Sequence, residues 1–142
     1  MRFMMLMYPS EKAETGAMPE ASLVAEMMKY NEALAKAGVL LALDGLHPTS
    51  KGARITWAAD GKPVVTDGPF TEVKEVVGGY WIIQVKSREE AIEWAKRVPA
   101  RDARKVELRQ IFEMADFPAD VQEAADSPAV RGTIERIEKQ TR

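Results

Sequence analysis

The chain carries a single histidine, His47, within Gly45-Leu46-His47-Pro48, where a short apolar run closes into a restricted turn. An imidazole near its ordinary pKa moves protons at neutral pH, and a carboxylate on its second nitrogen fixes its tautomer. Asp44 and Asp67 are the partners available by position, so His47 and Asp67 form the candidate acid–base pair, with Asp44 as the other carboxylate. The plainer role for a lone loop histidine is that of a turn residue. Arg54 and Arg109 have the planar fork that grips an anion at two points. Their competing role is a salt bridge, to Glu107 in the case of Arg109, or a solvated charge. Lys74, in the loop after Asp67, and Tyr80, at the head of an apolar run, complete the candidate ligand contacts. No phosphate-cradling glycine loop, serine elbow or carboxylate cluster for a metal stands out, so neither cofactor nor metal is expected.

Composition narrows the chemistry further. With no cysteine there is no disulfide, thiolate metal site or cysteine nucleophile, and one histidine cannot build a multi-histidine metal site. Twenty Lys and Arg against 22 Asp and Glu leave a net charge of −2, without the basic excess that marks nucleic-acid or anionic-membrane binding. At 142 residues, 46% hydrophobic and 30% charged, the chain has the length and composition of one globular domain. The opening apolar run, Phe3 to Tyr8, is too short for an export signal or a membrane span. A cytoplasmic location is the expectation.

The candidate residues depend on strands and turns for their placement. Phe3 to Tyr8 is apolar at every step, as in a strand buried on both faces. Pro9 to Thr15 is polar and expected to be a loop. Leu23, Met27, Asn31 and Leu34 recur at helical spacing behind Pro19, and Gly38 stands where a C-terminal cap glycine would, so a helix is expected over 19–37. Strands are expected at 39–43 and 54–57. Asp60-Gly61 marks a hairpin turn returning through Pro63-Val64-Val65, and further strands are expected at 80–85 and 106–112. Ser87-Arg88-Glu89-Glu90 is a capping box opening a helix that Pro99 stops. Seven of the eight methionines fall in the first 28 residues, suited to adaptable packing, and the three tryptophans are expected in the core. Ser127-Pro128 starts a tail helix with a narrow stripe of Val130, Ile134 and Ile137.

Strand, helix, strand, hairpin, strand, helix, strand, tail is the order of an α+β domain of the ferredoxin-like, split βαβ kind with an inserted hairpin. Its helices cover one sheet face. On strand 80–85 one parity is Trp81, Ile83, Val85 and the other Tyr80, Ile82, Gln84. On the last strand Val106 and Leu108 oppose Glu107, Arg109 and Ile111. The apolar parity is expected to meet the helices. The mixed parity is expected to face a second subunit around a partly polar cavity.

Asp67-Gly68-Pro69-Phe70, continued by Thr71-Glu72-Val73-Lys74-Glu75 and Gly78-Gly79, resembles the signature of the YCII-related family in its DGPF-domain branch. The approach Gly45-Leu46-His47-Pro48 and the opening Arg2-Phe3-Met4-Met5 are similar too. The motif also has a purely structural reading: Asp accepts backbone N–H groups just ahead, Gly adopts angles a Cβ forbids, Pro fixes φ and Phe plugs the core. The resemblance covers about residues 1–114, with 115–142 a helical extension outside it. It implies a dimeric α/β barrel in which two ferredoxin-like sheets close face to face, a His/Asp acid–base site in the cleft of the wider family, and an extracytoplasmic-function sigma factor as a partner. The functional expectation is a homodimeric small-molecule-binding or regulatory protein. The alternative is an acid–base enzyme, isomerase- or lyase-like, acting on a small polar ligand.

Overall fold

Phe3, Met5, Trp81 and Ile83 alternate with less buried neighbours along two antiparallel strands, and their side chains all enter one core. That alternation is the period-2 signature of a sheet covered on one face. In this computed structural model, which describes residues 1–99, 101 and 103–140, the main elements are β1 (Arg2–Pro9), α1 (Glu11–Glu14), α2 (Ala21–Lys36), β2 (Leu40–Gly45), β3 (Ala53–Trp57), β4 (Pro63–Asp67), β5 (Gly79–Gln84), α3 (Arg88–Ala95), β6 (Ala103–Gln110), α4 (Ala119–Ala125) and α5 (Pro128–Gln140). Four strands form one antiparallel sheet in the order β2-β5-β1-β6, and β3 pairs only with β4. This is the ferredoxin-like α+β arrangement with an inserted hairpin.

Helix α2 brings Leu23, Tyr30, Asn31 and Leu34 onto the sheet, and α3 brings Ala91. Met5, Leu34 and Ile83 are fully buried, each contributing roughly 1.5–3 kcal/mol of transfer free energy. Tyr30 sets its ring edge-on to Trp81, with 5.7 Å between centroids, and its hydroxyl donates to the Trp94 carbonyl at 3.0 Å. Gly38, at φ +70°, ends α2 in the left-handed conformation that a side chain would resist.

The register sets the second face. Met4 lies opposite Ile82 and Arg109, and Leu6 opposite Tyr80 and Glu107, so the mixed parity points away from the helices as expected. Within the single chain Met4, Leu6, Tyr80, Ile82 and Glu107 are only partly buried, and Arg109 is exposed.

Several local expectations need correction. Residues 11–14 are helical, because the Ser10 hydroxyl caps Ala13 N–H. The long helix begins at Ala21 with Glu20 as its N-cap, two residues after Pro19. At α3 the Ser87 hydroxyl accepts Glu90 N–H, but the Glu90 carboxylate reaches past Ser87 to Lys86 N–H, so the capping box is offset by one residue. The last strand ends at Gln110, and Phe112 is exposed beside Phe117, 5.0 Å between centroids. Trp57 is no core residue: on the two-stranded hairpin it is 71% exposed. Helix α4 had no periodic apolar signal to announce it.

Candidate functional site

The DGPF turn follows β4, and what it needs is close approach. Gly68 has no positive φ, contrary to the conformational role expected of it; a Cβ there would overlap the backbone carbonyl of Thr49. Gly68 N–H donates to the Gly52 carbonyl at 3.0 Å, and Phe70 N–H donates to the Thr49 hydroxyl at 3.0 Å. Thr49 in turn donates its own N–H, at 2.9 Å, and its hydroxyl to one oxygen of Glu14. One threonine thus joins helix α1, the loop after β2 and the motif. Phe70 does not enter the core. It is half-buried under the Arg54 guanidinium, 4.0 Å from its ring centroid, a cation–π contact.

The sequence-derived site residues are therefore distributed rather than gathered. His47 is exposed in the loop after β2, and its ring makes no hydrogen bond among the described residues. Asp67 is exposed at the end of β4, and its carboxylate does not take up the backbone N–H groups just ahead of it. No hydrogen bond or ion pair joins the two. Arg54 is engaged by Phe70, and Lys74 is exposed in a short 3-10 turn. On the open sheet face, the Tyr80 hydroxyl donates to Asp44 at 3.0 Å, and that bond, then the Asp44 charge, raises the phenol's pKa. At the other edge of that face Tyr8 donates to Glu107 at 3.3 Å, and Glu107 also accepts from Arg109 at 3.3 Å. Burial, then Glu107, raises the Tyr8 pKa. Arg109 takes the salt-bridge role. The open face is apolar at its centre and carries a phenol–carboxylate pair toward each edge.

One structural feature had no counterpart among the sequence expectations. Between α2 and the β2–β5 edge lies an open cleft of about 210 Å³, lined by Met7, Met27, Asn31, Leu43 and Trp81, with Asp44, Gly45, Gly79 and Tyr80 alongside. Asn31 is 9% exposed. The Trp81 indole N–H donates to its side-chain oxygen at 2.8 Å. An indole nitrogen can only donate, so the amide is fixed with its oxygen on Trp81, leaving the NH₂ end, whose protein contact is Met28 Sδ at 3.8 Å. An apolar cleft with a fixed amide in its wall suits a small ligand with an apolar body and a polar group. In the sequence Asn31 is one position of a helical stripe. A polar residue on an apolar stripe was the available signal.

Among the described residues no group of three or more His, Cys, Asp or Glu is placed to hold a metal ion, and no helix is long and apolar enough to cross a membrane.

An antiparallel ferredoxin-like sheet with helices on one face and an inserted hairpin closed by the DGPF turn defines the class. The chain belongs to the YCII-related domain family, which matches residues 1–115. It is 31% identical over 101 residues to an uncharacterized protein of Rhizobium meliloti (strain 1021), covering 68% of this chain and 77% of that one. Among solved structures it is similar to 5-chloro-2-hydroxyhydroquinone dehydrochlorinase from Burkholderia phenoliruptrix AC1100 in complex with 2,5-dihydroxybenzoquinone, with a TM-score of 0.46 and 14% identity over 80% of this chain and 95% of that one.

Proposed function

We propose that this YCII-related protein, of the DGPF branch, is a homodimeric small-molecule-binding protein of the cytoplasm. A second copy covers the open sheet face and closes the barrel, and a small ligand enters the cleft beside α2. The observation that carries the reading is the apolar cleft itself, with the Asn31 amide, fixed by Trp81, in its wall. The ligand class is a small molecule with an apolar body and a polar group that can meet the Asn31 amide. A regulatory use, with cleft occupancy read by an extracytoplasmic-function sigma factor, extends the proposal along the family resemblance.

The apolar Met7, Met27, Leu43 and Trp81 walls favour binding over proton transfer. In the acid–base alternative, His47 from its loop and Asp67 from the end of β4, both exposed, would have to converge on a ligand, with Arg54, Lys74, Tyr80 and Arg109 as its contacts.

Titration of ¹⁵N-labelled protein with acetophenone and 4-hydroxybenzaldehyde tests the proposal. Binding in the cleft shifts the Asn31 side-chain amide and the Trp81 indole resonance together. Saturating probe that leaves both unmoved would overturn the cleft assignment.

A further inference from the structure

Two glycines stand side by side in the cleft. Gly45 of β2 is paired with Gly79 of β5, and Leu43 on the same two strands is paired with Trp81. Residues two apart on a strand share a face. Positions 45 and 79 therefore look to the same side as Leu43 and Trp81, the side on which Trp81 packs against α2. Both glycines line the cleft. Where two side chains would stand, its floor is bare backbone.

The two glycines are there for different reasons. A Cβ at 79 would press on the Asp44 carbonyl at 3.0 Å and touch Met7 Cε at 3.6 Å, so the packing of the sheet itself asks for a glycine. A Cβ at 45 would meet no described residue within 4 Å beyond its chain neighbours, and Gly45 lies outside the left-handed region that favours glycine. Within a strand, glycine is less favourable than a residue with a side chain. The fold around position 45 therefore does not ask for a glycine, and what the missing side chain leaves is space in the cleft.

We infer that Gly45 is the residue that keeps this cleft open, and that the ligand on its floor is a single uncharged aromatic ring carrying a polar group. The inference rests on the ligand-binding reading above and narrows it. Paired glycines offer a flat strip of backbone on which a planar ring can lie closely. Met7 and Met27 in the walls supply polarizable thioethers, which make favourable contacts with aromatic rings, and Trp81 adds an aromatic surface. A cavity of about 150 Å³ holds benzene, so a cleft of about 210 Å³ takes one ring with a substituent rather than two fused rings. Among the described lining residues only Asp44 is charged. An anionic ligand would meet that like charge and no cation.

Phenol, its saturated counterpart cyclohexanol, and benzoate, titrated into the ¹⁵N-labelled full chain, test both halves of the inference. Phenol is expected to shift the Trp81 indole and Asn31 side-chain resonances, with cyclohexanol and benzoate binding more weakly by about tenfold or more. Gly45→Ala and Gly45→Val are expected to melt at or above the parent's temperature. Phenol affinity should fall from parent to alanine to valine, by about tenfold or more for valine. Cyclohexanol binding as tightly as phenol would overturn the aromatic class, and benzoate doing so would overturn the lack of charge. A Gly45→Ala chain that melts below the parent would assign the glycine to folding and overturn its role in the cleft. So would a folded Gly45→Val chain that keeps the parent's phenol affinity and the same two shifts, and in that case the ligand-binding cleft itself stands. A parent chain in which no probe moves either resonance would overturn the cleft reading and this inference together.

Discussion

Gly68 rests its Cα against the backbone carbonyl of Thr49 so closely that no Cβ fits between them. The glycine of the DGPF turn is thus set by a neighbouring segment rather than by its own torsion angles. Thr49 is itself held by Glu14 and in turn holds Phe70 N–H, so the motif is one side of a three-segment junction.

Gly68→Ala is therefore expected to destabilise the protein by ~1–3 kcal/mol, the range for forcing extra volume into a packed site. Glu72→Ala, at an exposed position, should stay within about 0.5 kcal/mol. Urea unfolding midpoints of the two variants measure the difference directly. Equal midpoints would remove the junction as the reason for this glycine.

The Asn31–Trp81 bond gives a second comparison. Asn31→Leu leaves the buried indole N–H without an acceptor and should cost about 1–3 kcal/mol. Adding Trp81→Phe removes the orphaned donor, so the double variant should be less destabilised than the sum of the two singles. A double-mutant cycle by chemical denaturation checks the sign, and strict additivity would mean that the bond contributes little.

Tyr30 predicts an alkaline limit. Burial pushes its hydroxyl up to about 12, partly opposed by the Arg97 charge. The unfolded phenol ionises from its ordinary value of 10.0, so the folded state holds the proton more tightly. Its contribution is complete below pH 10 and is lost as the pH rises toward 12, a fall of about 2–3 kcal/mol. Tyr30→Phe should be less stable at neutral pH by about 1 kcal/mol for the lost bond to Trp94 and should lack that alkaline decline. Stability measured at pH 8 and pH 11.5 for both proteins is the check; parallel declines would contradict it.

Glu113 sets an acid dependence of the opposite sign. Its hydrogen bonds to Arg2 hold the carboxyl below its ordinary value of 4.5. The contribution is present above that value and lost as the pH falls through the lower folded value. The pair is partly exposed, so the effect should be small and screened by salt. Glu113→Gln should flatten the acid limb of the stability curve below pH 4.5 and leave the neutral value nearly unchanged; an acid limb identical to that of the parent protein would assign the acid sensitivity elsewhere.

Periodicity by itself determined the ferredoxin-like order of elements, the hairpin and the sorting of Trp81 and Ile83 toward the helices from Tyr80 and Ile82 away from them. Alternation and helical spacing are properties of the backbone geometry, and they survive in one dimension. The same reasoning puts both Trp57 and Phe70 in the core, because hydrophobicity reports a preference for burial and not what is present to bury against. On an isolated two-stranded hairpin there is no second layer to cover Trp57, and Arg54 reaches Phe70 first. His47, Asp67 and Lys74 stand out by residue type, but exposed positions in loops and at the end of β4 set no partner for them in the sequence. The orientation of the Asn31 amide was beyond the sequence because it depends on Trp81, fifty residues away, arriving from the neighbouring layer with a group that can only donate. The need for glycine at position 68 likewise arises from Thr49, in a segment that only the folded chain brings alongside. Local geometry is written along the chain, whereas contacts between distant segments exist only once the layers have packed.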